Sequence, residues 1–293
     1  ARANPDVVTD KDHYANKRVR LSGDLLADLF RVNLSALVRD IQHNFQRTLR
    51  RKKVYSIKTL AKSTLFSHRV ESAIATGSWI GERTGVTQNM DKTNYLAMLS
   101  QLQRVSSLLP GEQENFPART LHPTHYGRFC PIETPEGTEI GLRKNLALLA
   151  RISTAIEFDE KDFFKSMAAA GLQDYEKEIQ GEEVYDIFYN GRFVGFVKDA
   201  AAFVDSVREK RRQGKLPVEL SIRLDNSNSL VIISTETGRV LRPLIIAKNG
   251  MSRLTEEHIE MLKNDEITWN SMLSQGIIEY LDASEEENSL VTL

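Results

Sequence analysis

Hydrophobic positions recur at three- and four-residue steps through the first third of the chain, which is the pattern of amphipathic helices. From Leu25 to Leu49 this spacing predicts one long helix, and a second is predicted from Ser56 to Ala75. The pattern returns from Asn89 to Val105. Glycines at positions 77, 81 and 85 interrupt it, so Thr76 to Gly85 is predicted to be a loop.

Prolines and glycines dominate the middle of the chain and exclude long regular elements there. Leu109-Pro110-Gly111 predicts the start of an exposed loop that reaches Pro117. From Ala118 to Leu142 three prolines and three glycines predict a rigid, structured loop. The apolar run Asn145 to Ile152 is predicted to form a buried strand or a short helix.

The second half of the chain mixes helical spacing with strand signals. An acidic stretch from Glu157 to Asp186 holds helical spacing at 163, 164 and 167, and Asp199 to Gln213 predicts another helix. Strand patterns surround Asn190-Gly191, a dipeptide typical of a two-residue hairpin turn. Further strands are predicted at 186–189, 192–197, 219–224, 230–234 and 238–246. The fold class is therefore α+β in several domains: a helical N-terminal part, a loop-rich segment and a mixed α/β part.

Composition narrows the class of protein. With 293 residues, 41% hydrophobic and 27% charged, the chain is long enough for one large domain or two to three ordinary ones. Its apolar stretches fall far short of the ~20 residues of a membrane helix. Cys130 is the only cysteine, which favours a reducing compartment. The missing initial Met leads us to expect a piece of a longer protein, and the lack of a basic-then-apolar targeting pattern leads us to expect a cytoplasmic one.

Charge is distributed unevenly although the net charge is only −1. The segment from Lys11 to Arg69 holds 14 Lys/Arg and 4 acids, whereas the last 43 residues hold 10 acids and 2 cations. Such asymmetry is typical of a chain whose basic part meets a polyanion. A solvated basic helix face explains it equally well, and the sequence leaves both interpretations open.

Familiar catalytic motifs do not occur, which argues against the usual nucleotide-binding loops. His122, His125, Cys130 and Glu133 are residue types that ligate zinc, but their spacing matches no usual zinc pattern, so hydrogen-bonded loop residues are the preferred interpretation. Glu133 and Glu136 form a pair of acids without a companion nucleophile, and alone they decide nothing.

One long stretch carries a specific resemblance. His122 to Gly137, continuing to Leu142, resembles the fork region of the second-largest subunit of multisubunit RNA polymerases, and it is most similar to the archaeal form of that protein. Segments on both sides resemble the same family, so the likeness covers essentially the whole chain. They are 10–18, 21–30, 75–79, 189–192, 238–243 and 269–282.

The resemblance implies a domain order. Residues 1–71 correspond to the later part of the protrusion, 72–151 to the fork, 152–250 to the first external domain and 251–293 to the start of the second. In this family the aspartates that hold the catalytic magnesium lie on the partner large subunit, and this chain contains no Asp-x-Asp-x-Asp sequence. No catalytic residue, metal or cofactor is therefore assigned to this chain.

The resemblance also implies site residues. Gln88, Asp91, Arg104 and Ser106 match positions that bind rifamycins beside the RNA path in bacterial homologues, but Gln101 replaces the histidine found there. Arg119 and Glu136 match positions that line the active centre near the incoming nucleotide. Internal bracing of loops remains the alternative role for Arg104, Arg119 and Arg128.

The implied function is participation in DNA-directed RNA polymerase, with a fork that helps position or separate the DNA strands. Partners would be the large subunit, other polymerase subunits, template and nontemplate DNA and the RNA transcript, in the cytoplasm at the nucleoid or in a nucleus. The alternative is a free-standing nucleic-acid-binding or scaffold module without polymerase function. Weak DNA binding through the region from Lys11 to Arg69 is expected in either case.

Overall fold

The computed structural model describes residues 10–51, 56, 60–81, 83–155, 157–174 and 184–292. These fall into two compact units, which we call the helical unit (Arg20–Pro110) and the mixed unit (Ala1–Val19 with Gly111–Leu293). Helices and small sheets occur together, which confirms the predicted α+β class. Within the described ranges, no helix has the length and apolarity needed to cross a membrane. The predicted domain boundaries divide the chain differently and stay predictions.

The helical unit is built on two packed helices. These are α1 (Ser22–Arg50), as the periodicity predicts, and α2 (Ser63–Thr76), which ends at Gly77 in the left-handed region (φ 71°). Leu29, Ala73 and Trp79 form the buried cluster between them, and Trp79 Nε1 donates to Leu25 O at 2.9 Å. The earlier part of the second predicted helix includes 57–59, which lie outside the described residues.

The third predicted helix is wrong in its extent. Only α3 (Tyr95–Leu102) is helical, and the strand β1 (Arg104–Ser106) follows it. The Asn94 side chain caps α3 by accepting from Ala97 N at 2.7 Å. The side chain of Gln101, within α3, binds the backbone that precedes the helix. It donates to Asn89 O at 2.9 Å and accepts from Asp91 N at 2.7 Å. Because these hydrogen bonds engage backbone groups that would otherwise pair within a longer helix, α3 begins at Tyr95 rather than at the predicted Asn89.

The proline- and glycine-rich part of the mixed unit contains only short elements, as predicted. They are α4 (Phe116–Arg119), the 3₁₀ turns Pro123–His125 and Gly137–Glu139, β2 (Arg143–Asn145) and β3 (Arg151–Ile152). The single buried element predicted from Asn145 to Ile152 is wrong. Ala147 N donates to Arg128 O and Ala150 N to Ala147 O, so the chain turns there and leaves Leu148 88% exposed.

A four-stranded sheet forms the largest core of the mixed unit. Its strands are β4 (Tyr185–Tyr189), β5 (Arg192–Val197), β6 (Ser221–Asp225) and β7 (Leu230–Ser234), in the order β5-β4-β7-β6, with β4 and β7 parallel. Helices α5 (Glu160–Ala168) and α6 (Ala200–Arg212) contribute to the same core. Asn190 and Gly191 have φ of 46° and 77°, which confirms the predicted hairpin turn.

The end of the mixed unit builds a second sheet. Strand β8 (Val240–Ile245) lies between β3 and β11 (Ile278–Leu281), antiparallel to both. The intervening chain forms the ribbon of β9 (Ala247–Lys248) and β10 (Met251–Ser252), then α7 (Glu256–Lys263) and α8 (Trp269–Ser274), and α9 (Ala283–Glu286) follows β11. Leu241, Met272 and Ile278 belong to its core.

Candidate nucleic-acid interface

Four of the six predicted site residues lie in the helical unit. The Asp91 carboxylate accepts from Thr93 Oγ1 at 2.6 Å and from Thr93 N at 3.0 Å. These two hydrogen bonds, led by the hydroxyl and aided by the positive charge of Arg104, hold the pKa of Asp91 below its usual value. Gln88 donates to Gly85 O at 2.8 Å, whereas Arg104 and Ser106 are exposed. The structure therefore brings Asp91 and Arg104 into electrostatic reach of each other on an accessible surface.

Arg119 and Glu136 lie in the mixed unit, at one loop. The Arg119 guanidinium donates to four backbone carbonyls: Thr138 O at 2.7 Å, Gly111 O at 2.8 Å, Ile140 O at 3.0 Å and Gln113 O at 3.2 Å. Because a guanidinium has five N–H donors, these contacts use most of its capacity. Arg119 thus fastens two stretches of loop, which fits the bracing alternative.

Gly141 shows how closely the loop approaches Arg119. Its φ is 73°, in the region that favours glycine, and a Cβ at this position would collide with the backbone of Arg119. Gly141 N also donates to Thr134 Oγ1 at 2.9 Å. The backbone around Arg119 is consequently held from both sides with little freedom.

Glu136 behaves differently from Arg119. It is exposed and stands immediately before the 3₁₀ turn Gly137–Glu139 without capping it through its side chain. No hydrogen bond or ion pair of its carboxylate to the rest of the described chain is observed. A rigid backbone therefore presents a free carboxylate beside the turn that Arg119 holds.

Arg128 lies in the same loop region, is fully buried and joins this loop to distant segments of the mixed unit. It donates to Val240 O at 3.0 Å and Leu281 O at 3.1 Å, and it pairs with Glu286 at 2.5 Å. Glu286 also pairs with Arg242 at 2.6 Å. These partners of Arg128 lie 112 to 158 residues away in sequence, so no local pattern could have indicated them.

The histidines of the loop, which are residue types that could ligate zinc, are used in hydrogen bonds. His122 Nδ1 lies 2.7 Å from Thr124 Oγ1, and its Nε2 lies 2.9 Å from Asp10 Oδ2. His125 is buried, and burial together with the nearby Lys144 charge lowers its pKa to about 4. Across the described parts of the chain, no group of His, Cys, Asp and Glu side chains is arranged to hold a metal ion.

Five of the ten acids in the last 43 residues, at positions 279, 282, 285, 286 and 287, pair with arginines of the mixed unit, whereas the five at 256–266 are exposed. Glu285 accepts from Arg211 at 2.7 Å and 2.9 Å and from Arg208 at 3.2 Å, and Asp282 accepts from Arg239 at 3.0 Å. Burial by itself would raise the pKa of Asp282, but the Arg239 charge and the Glu285 N–H outweigh it and lower that pKa. The charge asymmetry of the sequence therefore overstates the acidity of the surface.

Family profiles match three separate parts of the chain. RNA polymerase Rpb2 domain 3 matches residues 88–152, which include all six predicted site residues. Rpb2 domain 4 matches residues 187–248, and Rpb2 domain 5 matches residues 269–293.

Curated relatives match over the full chain. DNA-directed RNA polymerase subunit Rpo2 of Sulfolobus acidocaldarius is 44% identical over 303 aligned positions, covering 100% of this chain and 27% of the relative. RNA polymerase II subunit RPB2 of Encephalitozoon cuniculi is 34% identical, again over 100% of this chain and 26% of the relative. Subunit Rpo2N of Methanothermobacter thermautotrophicus is 50% identical over 52% of this chain and 29% of its own length. The chain thus spans about a quarter of the length of these relatives, and it belongs to the family of second-largest subunits of DNA-directed RNA polymerase.

Proposed function

We propose that the chain works as part of a DNA-directed RNA polymerase, in which residues 72–151 form a fork that lines the active centre and helps position or separate the DNA strands. The observation that carries this proposal is the 44% identity to subunit Rpo2 along the whole chain, including the stretch of all six site residues. Nucleotidyl transfer would belong to the assembled enzyme, with the large subunit supplying the magnesium ions that stabilise the attacking and leaving oxygens.

The geometry supports a wall that positions rather than reacts. Arg119 holds its loop through four carbonyls, and buried Arg128 fastens the following segment to β8 and to the end of β11. A rigid wall keeps a reacting nucleotide in register, and small displacements of such walls change rates strongly. In this arrangement Glu136 is the side chain free to meet a ligand, while Arg119 acts by fixing the backbone around it.

The surface around Asp91 and Arg104 would lie along the RNA path. An exposed arginine neutralises phosphate and positions a strand without reading its sequence. The side-chain amide of Gln101 is less available to such a strand than the Arg104 guanidinium, because it already donates to Asn89 O and accepts from Asp91 N. Its replacement of the histidine therefore changes how this segment is held as well as its chemistry.

The assembled enzyme would bring the chain together with the large subunit, other polymerase subunits, both DNA strands and the transcript, in the compartment that holds the DNA. The competing function is a free-standing nucleic-acid-binding or scaffold module. The two differ in whether changes at Glu136 alter RNA synthesis.

Single-nucleotide addition by a reconstituted polymerase tests the proposal. We expect Glu136→Ala to change the addition rate or the misincorporation frequency by ~10–100-fold, the range of supporting residues around a reactive centre, while assembly is retained. Glu157→Ala, at another exposed acid of the mixed unit, is the matched control and should behave as wild type. Wild-type rates and fidelity for Glu136→Ala would refute a role at the active centre.

A further inference from the structure

Two tight turns of the mixed unit carry the same dipeptide. Asn190-Gly191 joins β4 to β5, and Asn249-Gly250 joins β9 to β10. The two asparagines have φ of 46° and 54°, and both glycines have φ of 77°. Positive φ at both central residues is the mark of a type I′ hairpin turn. The two sites therefore share their local sequence and their local backbone shape.

The asparagine side chain of the first turn is held in place. Asn190 Nδ2 donates to Thr235 Oγ1 at 2.9 Å, and Asn190 Oδ1 accepts from Thr235 N at 2.8 Å. Its backbone N–H donates to Ile233 O at 2.9 Å, and the residue is half-buried at the end of the four-stranded sheet. Rotation of this side chain therefore requires both of its hydrogen bonds to break.

The second turn leaves its asparagine side chain free to rotate. Asn249 and Gly250 are exposed, and within the described residues no hydrogen bond of the Asn249 side chain is observed. The ribbon that this turn closes has two residue pairs, and all four paired residues are exposed. So short a ribbon, without buried side chains of its own, opens more easily than strands that pack in a core.

An asparagine that precedes glycine is able to react within its own chain. The backbone nitrogen of the glycine attacks the side-chain Cγ, and the new N–Cγ bond closes a succinimide ring. The Cγ–Nδ2 bond breaks, and the amide leaves as ammonia with the proton from the glycine nitrogen. Water then opens the ring: cleavage at Cγ gives aspartate, whereas cleavage at the main-chain carbonyl carbon gives isoaspartate. Because Cγ must reach the neighbouring nitrogen, a side chain that is bonded elsewhere reacts only after its release.

We propose that Asn249 is a site of spontaneous deamidation through a succinimide, and that its hydrogen bonds to Thr235 protect Asn190 from the same reaction. The product carries a negative charge beside Lys248. Its isoaspartyl form also adds a carbon atom to the backbone of the turn. Because turn geometry sets the register of a hairpin, this added atom should disrupt the pairing of β9 with β10. The modification goes beyond the proposed active-centre wall and does not require it.

The hydrogen bonds of Asn190 give the expected difference in rate. We expect Asn190 to deamidate roughly 30-fold more slowly than Asn249, a factor that corresponds to about 2 kcal/mol, the net contribution of two hydrogen bonds. The purified chain is held at neutral pH and sampled over time, and its peptides are resolved by liquid chromatography with mass spectrometry into asparagine, aspartate and isoaspartate forms. In urea both Asn-Gly sites lose their folded surroundings, so their rates should become nearly equal.

Thr235→Val tests the protection directly. It removes the hydroxyl that Asn190 Nδ2 donates to and leaves the backbone N–H in place, so deamidation at Asn190 should rise about fivefold while the rate at Asn249 stays unchanged. Thr237→Val is the matched control, because Thr237 is exposed in the same segment, and it should change neither rate.

Several results would overturn the proposal. Equal rates at the two asparagines of the folded chain would do so, as would an Asn249 that stays intact while the chain in urea reacts. Aspartate without isoaspartate at Asn249 would indicate direct hydrolysis of the amide and exclude the succinimide. An unchanged Asn190 rate in Thr235→Val, or an equal rise in Thr237→Val, would contradict the assigned protection. RNA synthesis enters none of these measurements, so this proposal and the role of Glu136 fail separately.

Discussion

Glu285 is the position where a single substitution should most disturb the mixed unit. Its side chain is 1% exposed. The carboxylate accepts hydrogen bonds from Nη1 and Nη2 of Arg211, from Nε of Arg208 at 3.2 Å and from the backbone N–H of Ile222 at 3.2 Å. Arg211 is itself 2% exposed. Glu285→Gln keeps the shape but removes the charge, leaving Arg211 with Glu279 as its remaining carboxylate.

Breaking a buried ion pair on one side costs about 3–5 kcal/mol, because the other charge stays buried without full compensation. Arg211 retains Glu279, so we expect about 3 kcal/mol for Glu285→Gln. Exchange of amide hydrogens in β6 and β11 reports this locally, since those strands flank the pair. The cost corresponds to exchange faster by roughly two powers of ten.

Glu287→Gln is the matched control for Glu285→Gln. Glu287 pairs with His13 at 2.6 Å and Arg223 at 3.5 Å, but its side chain is 44% exposed, so less than about 1 kcal/mol is expected. The double variant Arg211→Met/Glu285→Gln should cost less than the sum of its single variants by about 1–3 kcal/mol. Exchange rates for Glu285→Gln equal to those for Glu287→Gln, or additive costs, would refute the buried-pair reasoning.

Three further outcomes are expected. Gly141→Ala should cost at least about 2 kcal/mol through its positive φ and its collision with Arg119, whereas Gly137→Ala, with a similar φ but open space, should cost about 1 kcal/mol; urea unfolding compares them. The pKa of His125 is about 4 in the folded chain, below the ordinary 6.5. As pH falls, this histidine therefore binds a proton in the unfolded chain before it does so in the folded chain. Stability from this group is complete above pH 6.5 and decreases by up to about 3 kcal/mol as pH falls to 4, and His125→Gln should flatten that decrease in unfolding titrations. A polymerase assembled with Gln101 should resist rifamycins in transcription assays, and inhibition at concentrations that stop bacterial enzymes would contradict this.

Sequence patterns correctly predicted the elements whose conformation depends on residues close to them in the chain. The periodicity from Leu25 to Leu49 gives α1, and Asn190-Gly191 gives the β4–β5 hairpin, because the face of a helix and the φ of a turn depend on neighbouring residues. The Asn145–Ile152 segment failed because apolar composition alone does not show whether a chain turns outward. A backbone hydrogen bond to Arg128 decides that turn.

The sequence likewise predicted one part of the candidate site and missed another. The motif from His122 to Gly137 identified the loop, but the roles of its arginines depend on contacts that composition does not encode. Arg119 was predicted from resemblance to line the active centre, and its four carbonyl partners show how it holds the loop. The buried pairing of Arg211 with Glu285 joins residues 74 positions apart, so no local pattern in the sequence could indicate it.

Association with a larger polymerase subunit, which we propose to hold the magnesium ions, is the most direct test of the proposal that this chain works within RNA polymerase. An affinity-tagged chain, purified from the cells that make it, should carry the large subunit in equimolar amount, and the complex should synthesise RNA on a DNA template. The account also predicts that the chain alone synthesises none. Purification of the chain without the large subunit, or template-dependent synthesis by the chain alone, would contradict it.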